Sequence, residues 1–276
     1  TSTTDQLWGD YGSTMVDPSN PNIFWTFNQI SKDNGNWGVQ ISKLNIAPVT
    51  PPTSTMVVAS LDGHRVNAFN GTTAVADALN ASNGLRSPSS TIYDSSGRLY
   101  VADVGDNRII RVEPNGNMST YADFGDNAVA VLGMAIKPSN GHLFATNMYN
   151  KSIVDITNTA GLGTSGTTFA DTSDGLVLPW DLAFDSSNNL FVADALARKI
   201  FKFDSAGNAT VFADQGDNLI TPTGLAIDSV GNVYVSDLFR DKIYRFTPSG
   251  VGSVFADSGD GLLTPIELQF GPDGKL

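Results

Sequence analysis

Most of the chain consists of short apolar runs of alternating or β-branched residues, cut by clusters of Asn, Asp, Gly and Ser. From Gly224 the runs read "GLAID", "NVYVSD", "KIYRFT" and "GSVFAD". A period of two over so few residues predicts strands rather than helices. "SSGR", "SSNN" and "SVGN" join the first and second runs, and "PNG", "SAG" and "PSG" join the third and fourth. These are residues that accept positive φ or bond their own backbone, as hairpin turns require. The predicted unit is therefore four antiparallel strands.

The unit recurs. "LPWDLAFDSSNNLFVADALARKIFKFDSAGNATVFADQGDN" from Leu178 is matched by "TPTGLAIDSVGNVYVSDLFRDKIYRFTPSGVGSVFADSGDG" from Thr221, and Pro179, Pro222 and Pro265 return at a spacing of 43 residues. An earlier copy starts at Ser87 and a looser one, "VLGMAIKPSNGHLFATNMYN", at Val131. A four-stranded unit of this length is the blade of a β-propeller, whose closed ring protects the sheet edges.

The stretch "GLAIDSVGNVYVSDLFRDKIYRFTPSG" resembles an NHL repeat, and the resemblance covers roughly residues 55–276. It implies an all-β propeller of four-stranded antiparallel blades, six in most such proteins, with five as the alternative here. The same propeller class includes the SMP-30/gluconolactonase type, the virginiamycin lyase type and the peptide-amidating lyase.

The ends raise the question of closure. "STMVVASLDGHRVNAFNGTTAVAD" matches strands two to four of a blade, and the C-terminal "TPIELQFGPDGKL" matches a first strand. Joined in one blade, they would latch a ring of five and remove both free edges. Residues 1–47 are also strand-like and hold three of the four Trp, ahead of a Pro/Thr linker at 48–55 and the repeats at 56–276. They resemble the closing blade of secreted bacterial propeller proteins. Six blades, with residues 1–47 inside the ring, is the favoured reading, because an isolated sheet would expose its aromatics. The C-terminal strand would then pair near the N-terminal segment rather than with Met56. The tail of a preceding domain in a longer parent chain is the other reading.

Composition narrows the partners. A net charge of −12 repels phosphate backbones, so nucleic acid is not expected. No apolar run reaches the ~18 residues of a membrane span. The absence of cysteine excludes disulfides and thiolate metal sites. Acidity, no cysteine and five Asn-x-Ser/Thr sequons together suggest an extracellular or cell-surface bacterial protein, and the stretch "TSTTDQLWGD" itself carries neither the basic nor the apolar region of an export signal.

Candidate chemistry starts with the loop "FADQGDN" and its copies, which place Asp123, Asp126 and Asn127, Asp171 and Asp174, Asp214, Asp217 and Asn218, and Asp257 and Asp260 between blades. Paired carboxylates could offer oxygens to Ca²⁺, but one such loop supplies too few. Bonding of the loop's own N–H groups is the first reading. A second series ends strand two: Asp103, Asp194 and Asp237, with Asn147 and Asp62. In NHL blades this residue braces the following turn.

Breaks in the repeat are more informative. Two residues after the Pro position stand Ser90, Met134, Asp181, Gly224 and Glu267, at the mouth of the central channel, and only Asp181 and Glu267 are ionisable. Resemblance to the SMP-30 hydrolases places Glu267, Asp181, Asn147 and Asp237 nearest that family's divalent-metal roles, although its "P-E-G-P" and "P-N-G" signatures are not present. Bonding to channel waters or a neighbouring Arg is the plainer role for these residues. His64 and His142 occupy ordinary turn slots and are expected to be exposed, which argues against the His-dependent lyases. No G-x-S-x-G elbow, phosphate loop or Cys nucleophile occurs. Trp180 replaces a small residue at the channel mouth. Together with Trp8, Tyr11, Phe24, Trp25, Phe27 and Trp37 it could stack on sugars or pack between blades.

The sequence thus points to an NHL-type binding or scaffold module for a protein or carbohydrate partner, leaning away from catalysis. The alternatives are a metal-dependent lactonase using Asp181 and Glu267, and a sugar-binding module using Trp180. No cofactor is specified by these residues, and Ca²⁺ or another divalent ion stays open.

Overall fold

The computed structural model describes residues 12–15, 26–32, 36–42, 55–60, 63–70, 73–125, 130–157, 166–270 and 276, with the backbone alone described before Ala59 and at 60, 68–70 and 73–78. Trp8, Tyr11, Phe24, Trp25, Asp62, Asp126 and Asn127 lie outside the described residues, as do the side chains of Phe27 and Trp37.

The alternating runs form strands, and these assemble into five four-stranded antiparallel sheets plus one hairpin, Thr26–Lys32 with Asn36–Ser42. From the centre outward, the second sheet is Pro88–Tyr93, Leu99–Asp103, Arg108–Val112 and Met118–Asp123. The third is Met134–Ile136, Leu143–Asn147, Ser152–Asp155 and Thr167–Ala170. The fourth is Pro179–Phe184, Leu190–Asp194, Lys199–Phe203 and Ala209–Ala213. The fifth is Pro222–Ile227, Val233–Asp237, Lys242–Phe246 and Gly252–Ala256. Innermost strands of successive sheets are neighbours. This is the radial order of a β-propeller.

Burial follows from that order. Every residue of the second strands Leu99–Asp103, Leu143–Asn147, Leu190–Asp194 and Val233–Asp237 is buried, because each sheet is covered on both faces. The outermost strands are exposed except near their last residues. Apolar clusters fill the layers between sheets. Ala135, Phe144 and Ile153 of the third sheet meet Leu182, Val192 and Phe201 of the fourth. Edge-to-face ring pairs such as Phe144 with Phe184, centroids 5.0 Å apart, bind the same layer.

The first sheet corrects one closure scheme. Its innermost strand is Gly12–Met15, paired antiparallel with Thr55–Ser60 from Gly12 opposite Ser60 to Met15 opposite Val57. Among the described residues, the C-terminal segment is not part of that sheet. It lies against the fifth: Ser236 Oγ donates to the Ile266 carbonyl at 2.9 Å, and Phe270 meets the Tyr234 ring edge-on at 5.0 Å.

The "FADxGDN" loops that follow the third, fourth and fifth sheets fold into single 3-10 turns closed by reciprocal caps. Asp214 accepts from Gly216 N–H at 2.7 Å, and Asp217 accepts from Asp214 N–H at 3.0 Å. Asp257 with Asp260 and Asp171 with Asp174 repeat the arrangement, as do Asn80 and Asn83. Both side chains thereby satisfy backbone donors at the turn. Asn218 follows in the left-handed region at φ 69°, where Gly175 and Gly261 stand in other copies.

Candidate functional site

Each first strand enters at the side carrying the capped connections, and the innermost strands enclose a central cavity of about 200 Å³. Asp181, Glu267, Thr91 and Gln269 are its polar lining side chains. Asp181 and Glu267 are therefore brought together as the spacing suggested. Asn147 and Asp237 are not in the lining. Asn147 accepts from Asn150 N–H at 3.1 Å, and fully buried Asp237 accepts from Ile220 and Thr221 N–H at 2.6 and 3.1 Å. Asp103 and Asp194 hold the connections before their own sheets in the same way. Two backbone donors per connection find a buried acceptor there, which fixes how each sheet joins the next.

Asp181 is buried between two sheets. Its Oδ1 accepts from Leu182 N–H and its Oδ2 from Leu225 N–H of the fifth sheet, both at 2.8 Å. Burial pushes its pKa up to about 7, against the lowering effect of those two N–H groups. It is both a stitch between sheets and a group that changes charge near neutral pH. Thr91 Oγ1 is buried without a hydrogen-bond partner, leaving a hydroxyl available to whatever fills the cavity.

The strand register shows how the carboxylates fit. Leu182 pairs with Val192, and Met134 pairs with Ala145, its counterpart. Gly133, not Met134, therefore occupies the Asp181 position, a one-residue correction to the repeat alignment. A Cβ on Gly133 would lie 2.5 Å from Asp181 Oδ1, and one on Gly224 would lie 2.6 Å from Glu267 Cα. Each acid thus follows a sheet whose equivalent position is glycine. The acid and the preceding glycine form one packing unit, visible in the sequence only once the copies are read around the ring in pairs.

The other candidates are dispersed. Trp180 is half-buried and is not in the cavity lining. His64 is exposed, whereas His142 is not a free loop residue, because its Nδ1 lies 2.7 Å from Asp155 Oδ2 in a half-buried pair. The Asp214/Asp217 and Asp257/Asp260 carboxylates each accept a backbone N–H. Among the described residues no three His, Cys, Asp or Glu side chains converge as a metal cluster.

A feature not singled out in the sequence lies beside the channel mouth. In the turns from second to third strand, Tyr149, Leu196 and Phe239 occupy the same position in the third, fourth and fifth sheets, two residues past Asn147, Asp194 and Asp237. They are 59%, 65% and 72% exposed. Aligning the copies could have shown it, since the third, fourth and fifth sheets carry Tyr, Leu and Phe where the second has Gly105.

Comparison with known proteins places the fold. No family model matches the chain, and no curated protein matches it. Solved structures do. A chain of a nidogen/laminin complex is similar with TM-score 0.63 and 14% identity, over 94% of this chain and 97% of that one. Virginiamycin B lyase from Staphylococcus aureus is similar with TM-score 0.54 and 18% identity, over 95% and 79%. A putative gluconolactonase gives TM-score 0.50 and 18% identity, over 62% and 63%. The protein is a β-propeller, as its repeat implied.

Proposed function

We propose that this protein is an extracellular binding or scaffold module that presents the connection side of its propeller to a protein partner. The observation carrying this reading is the trio Tyr149, Leu196 and Phe239, large apolar side chains held in water at one position of three neighbouring sheets. Each forgoes about 1.5–3 kcal/mol that burial would give, and a repeated exposure of this kind marks a contact surface. The similar chain from a nidogen/laminin complex was solved as an assembly of two proteins, which accords with this role for the fold.

One observation favours a second reading, a hydrolase acting on lactones or related esters. Asp181 and Glu267 line one cavity, and a carboxyl with a pKa near 7 suits proton transfer at neutral pH. The test is turnover of a lactone and ester panel with Ca²⁺, Mg²⁺, Mn²⁺ and Zn²⁺ added singly. The binding reading expects no turnover above background. Metal-dependent hydrolysis abolished in Asp181→Ala would replace it with the hydrolase.

A further inference from the structure

The same three turns carry a second regularity, in charge. Lys151, Arg198 and Arg240 follow Tyr149, Leu196 and Phe239 by one or two residues, and all three are exposed. None has a carboxylate partner among the described residues. The second sheet behaves otherwise: Arg86 pairs with Asp106 at 3.4 Å, and Arg108 pairs with Asp103 and Asp106, each at 3.2 Å. In a chain of net charge −12, carboxylates are plentiful, so these cations are spared by arrangement rather than by shortage.

Their backbone carries a cost as well. Lys151 and Arg198 stand in the left-handed region at φ 52° and 57°, where the second sheet has Asn107 at φ 50°. Asn or Gly is favoured there, and a long side chain costs on the order of 1 kcal/mol. Two sheets accept that strain to hold a cation beside an apolar tip.

We propose that the turns of the third, fourth and fifth sheets form one docking arc for an acidic polypeptide segment, with carboxylates interspersed among apolar or aromatic side chains. This rests on the protein-binding reading above and names the chemistry of the partner. Apolar residues of the segment cover Tyr149, Leu196 and Phe239, and its carboxylates meet Lys151, Arg198 and Arg240. The capping carboxylates Asp171, Asp214 and Asp257 flank the arc on the same side and repel acidic residues placed outside it. At physiological salt that repulsion is screened within about 8 Å, whereas pairs in contact are not. The arc therefore selects the register of the segment as well as its charge.

The test is selection from a random-peptide display library against the intact chain, followed by affinities for two variants. One is Tyr149→Ser/Leu196→Ser/Phe239→Ser and the other Lys151→Glu/Arg198→Glu/Arg240→Glu, each first shown to melt like the parent. We expect enriched peptides to combine Asp or Glu with Leu, Phe or Tyr, and to lose at least tenfold in affinity in both variants. Neutral or basic peptides lost in the serine variant but kept in the charge-reversed one would overturn the acidic partner and leave the protein-binding reading standing. Peptides kept by both variants, or no enrichment at all, would overturn both. Concentration-dependent self-association of the parent that disappears in the charge-reversed variant would identify the occupant as a second copy of this chain and also overturn the proposal.

Discussion

The turn after Asp103 in the second sheet and those after Asn147, Asp194 and Asp237 share one frame, yet they end in opposite ways. All four place a residue at left-handed φ just before the third strand: Asn107, Lys151, Arg198 and Asp241. In the second sheet the frame is sealed. Gly105 admits the incoming connection so closely that a Cβ there would lie 2.7 Å from Arg86 Cβ, and Arg108 bonds Asp103 and the Gly84 carbonyl. In the other three sheets the position of Gly105 carries an exposed apolar side chain, with a cation beside it that has no carboxylate partner among the described residues. The difference separates what the fold requires from what it tolerates. Sealing shows that the frame can satisfy itself, so the open turns are not a by-product of the architecture.

The comparison breaks most visibly at the bracing residue. Asp103→Ala should cost about 2–4 kcal/mol in denaturant unfolding, because it strands two backbone donors and leaves the partly buried Arg108 with Asp106 as its remaining carboxylate. Asn147→Ala, which strands one donor in an open turn, should cost about 1–2 kcal/mol by the same measurement. Equal losses would show that the two turns are not braced differently. Gly105→Ala should cost about 1–3 kcal/mol through overpacking against the connection, read as a fall in the urea midpoint at constant slope.

Acid–base behaviour tests the stitch between the fourth and fifth sheets. Asp181 holds its proton more tightly in the native state than in the unfolded chain, where its pKa is 3.8. Its stabilising contribution is complete below about pH 4 and is lost as pH rises toward and through 7. Subtracting the stability profile of Asp181→Asn from that of the parent should give a curve that declines across this window. A flat difference would refute the buried carboxyl.

The exposed side chains of the open turns should respond least, and one of them in the opposite direction. Arg198→Gly is expected to raise stability by up to about 1 kcal/mol, since glycine accepts φ 57° without strain. Tyr149→Ser, Leu196→Ser and Phe239→Ser should each leave unfolding within about 0.5 kcal/mol of the parent. A larger loss in any of them would mean that the tip packs in the native protein.

Much of the fold was legible because the repeat states it four times. Turn residues and alternating runs recur in phase with Pro179, Pro222 and Pro265, so local and global signals agree. Where that punctuation fails, so does the reading. "VLGMAI" has no proline, and its alignment slipped by one residue, which concealed Gly133 opposite Asp181. The origin of the first sheet's innermost strand was also hidden, because Gly12–Met15 is joined to its partner strand by no hairpin. Of the site, Asp181 and Glu267 were found as ionisable exceptions within a repeated position. The exposed trio escaped notice because apolar residues in a β-rich chain are read as core until burial shows otherwise.

The strand exchange in the first sheet bears on the order of folding. The other four sheets can each form from contiguous chain, hairpin by hairpin. The first must bring Met15 to Val57 across an intervening segment that includes the Thr26–Ser42 hairpin. That closure carries the larger entropic cost and the higher contact order. Assembly is thus expected to run from the second sheet to the fifth, with the first completed late. A fragment beginning at Thr55 would carry an unpaired inner edge and would be prone to capture a strand from another molecule.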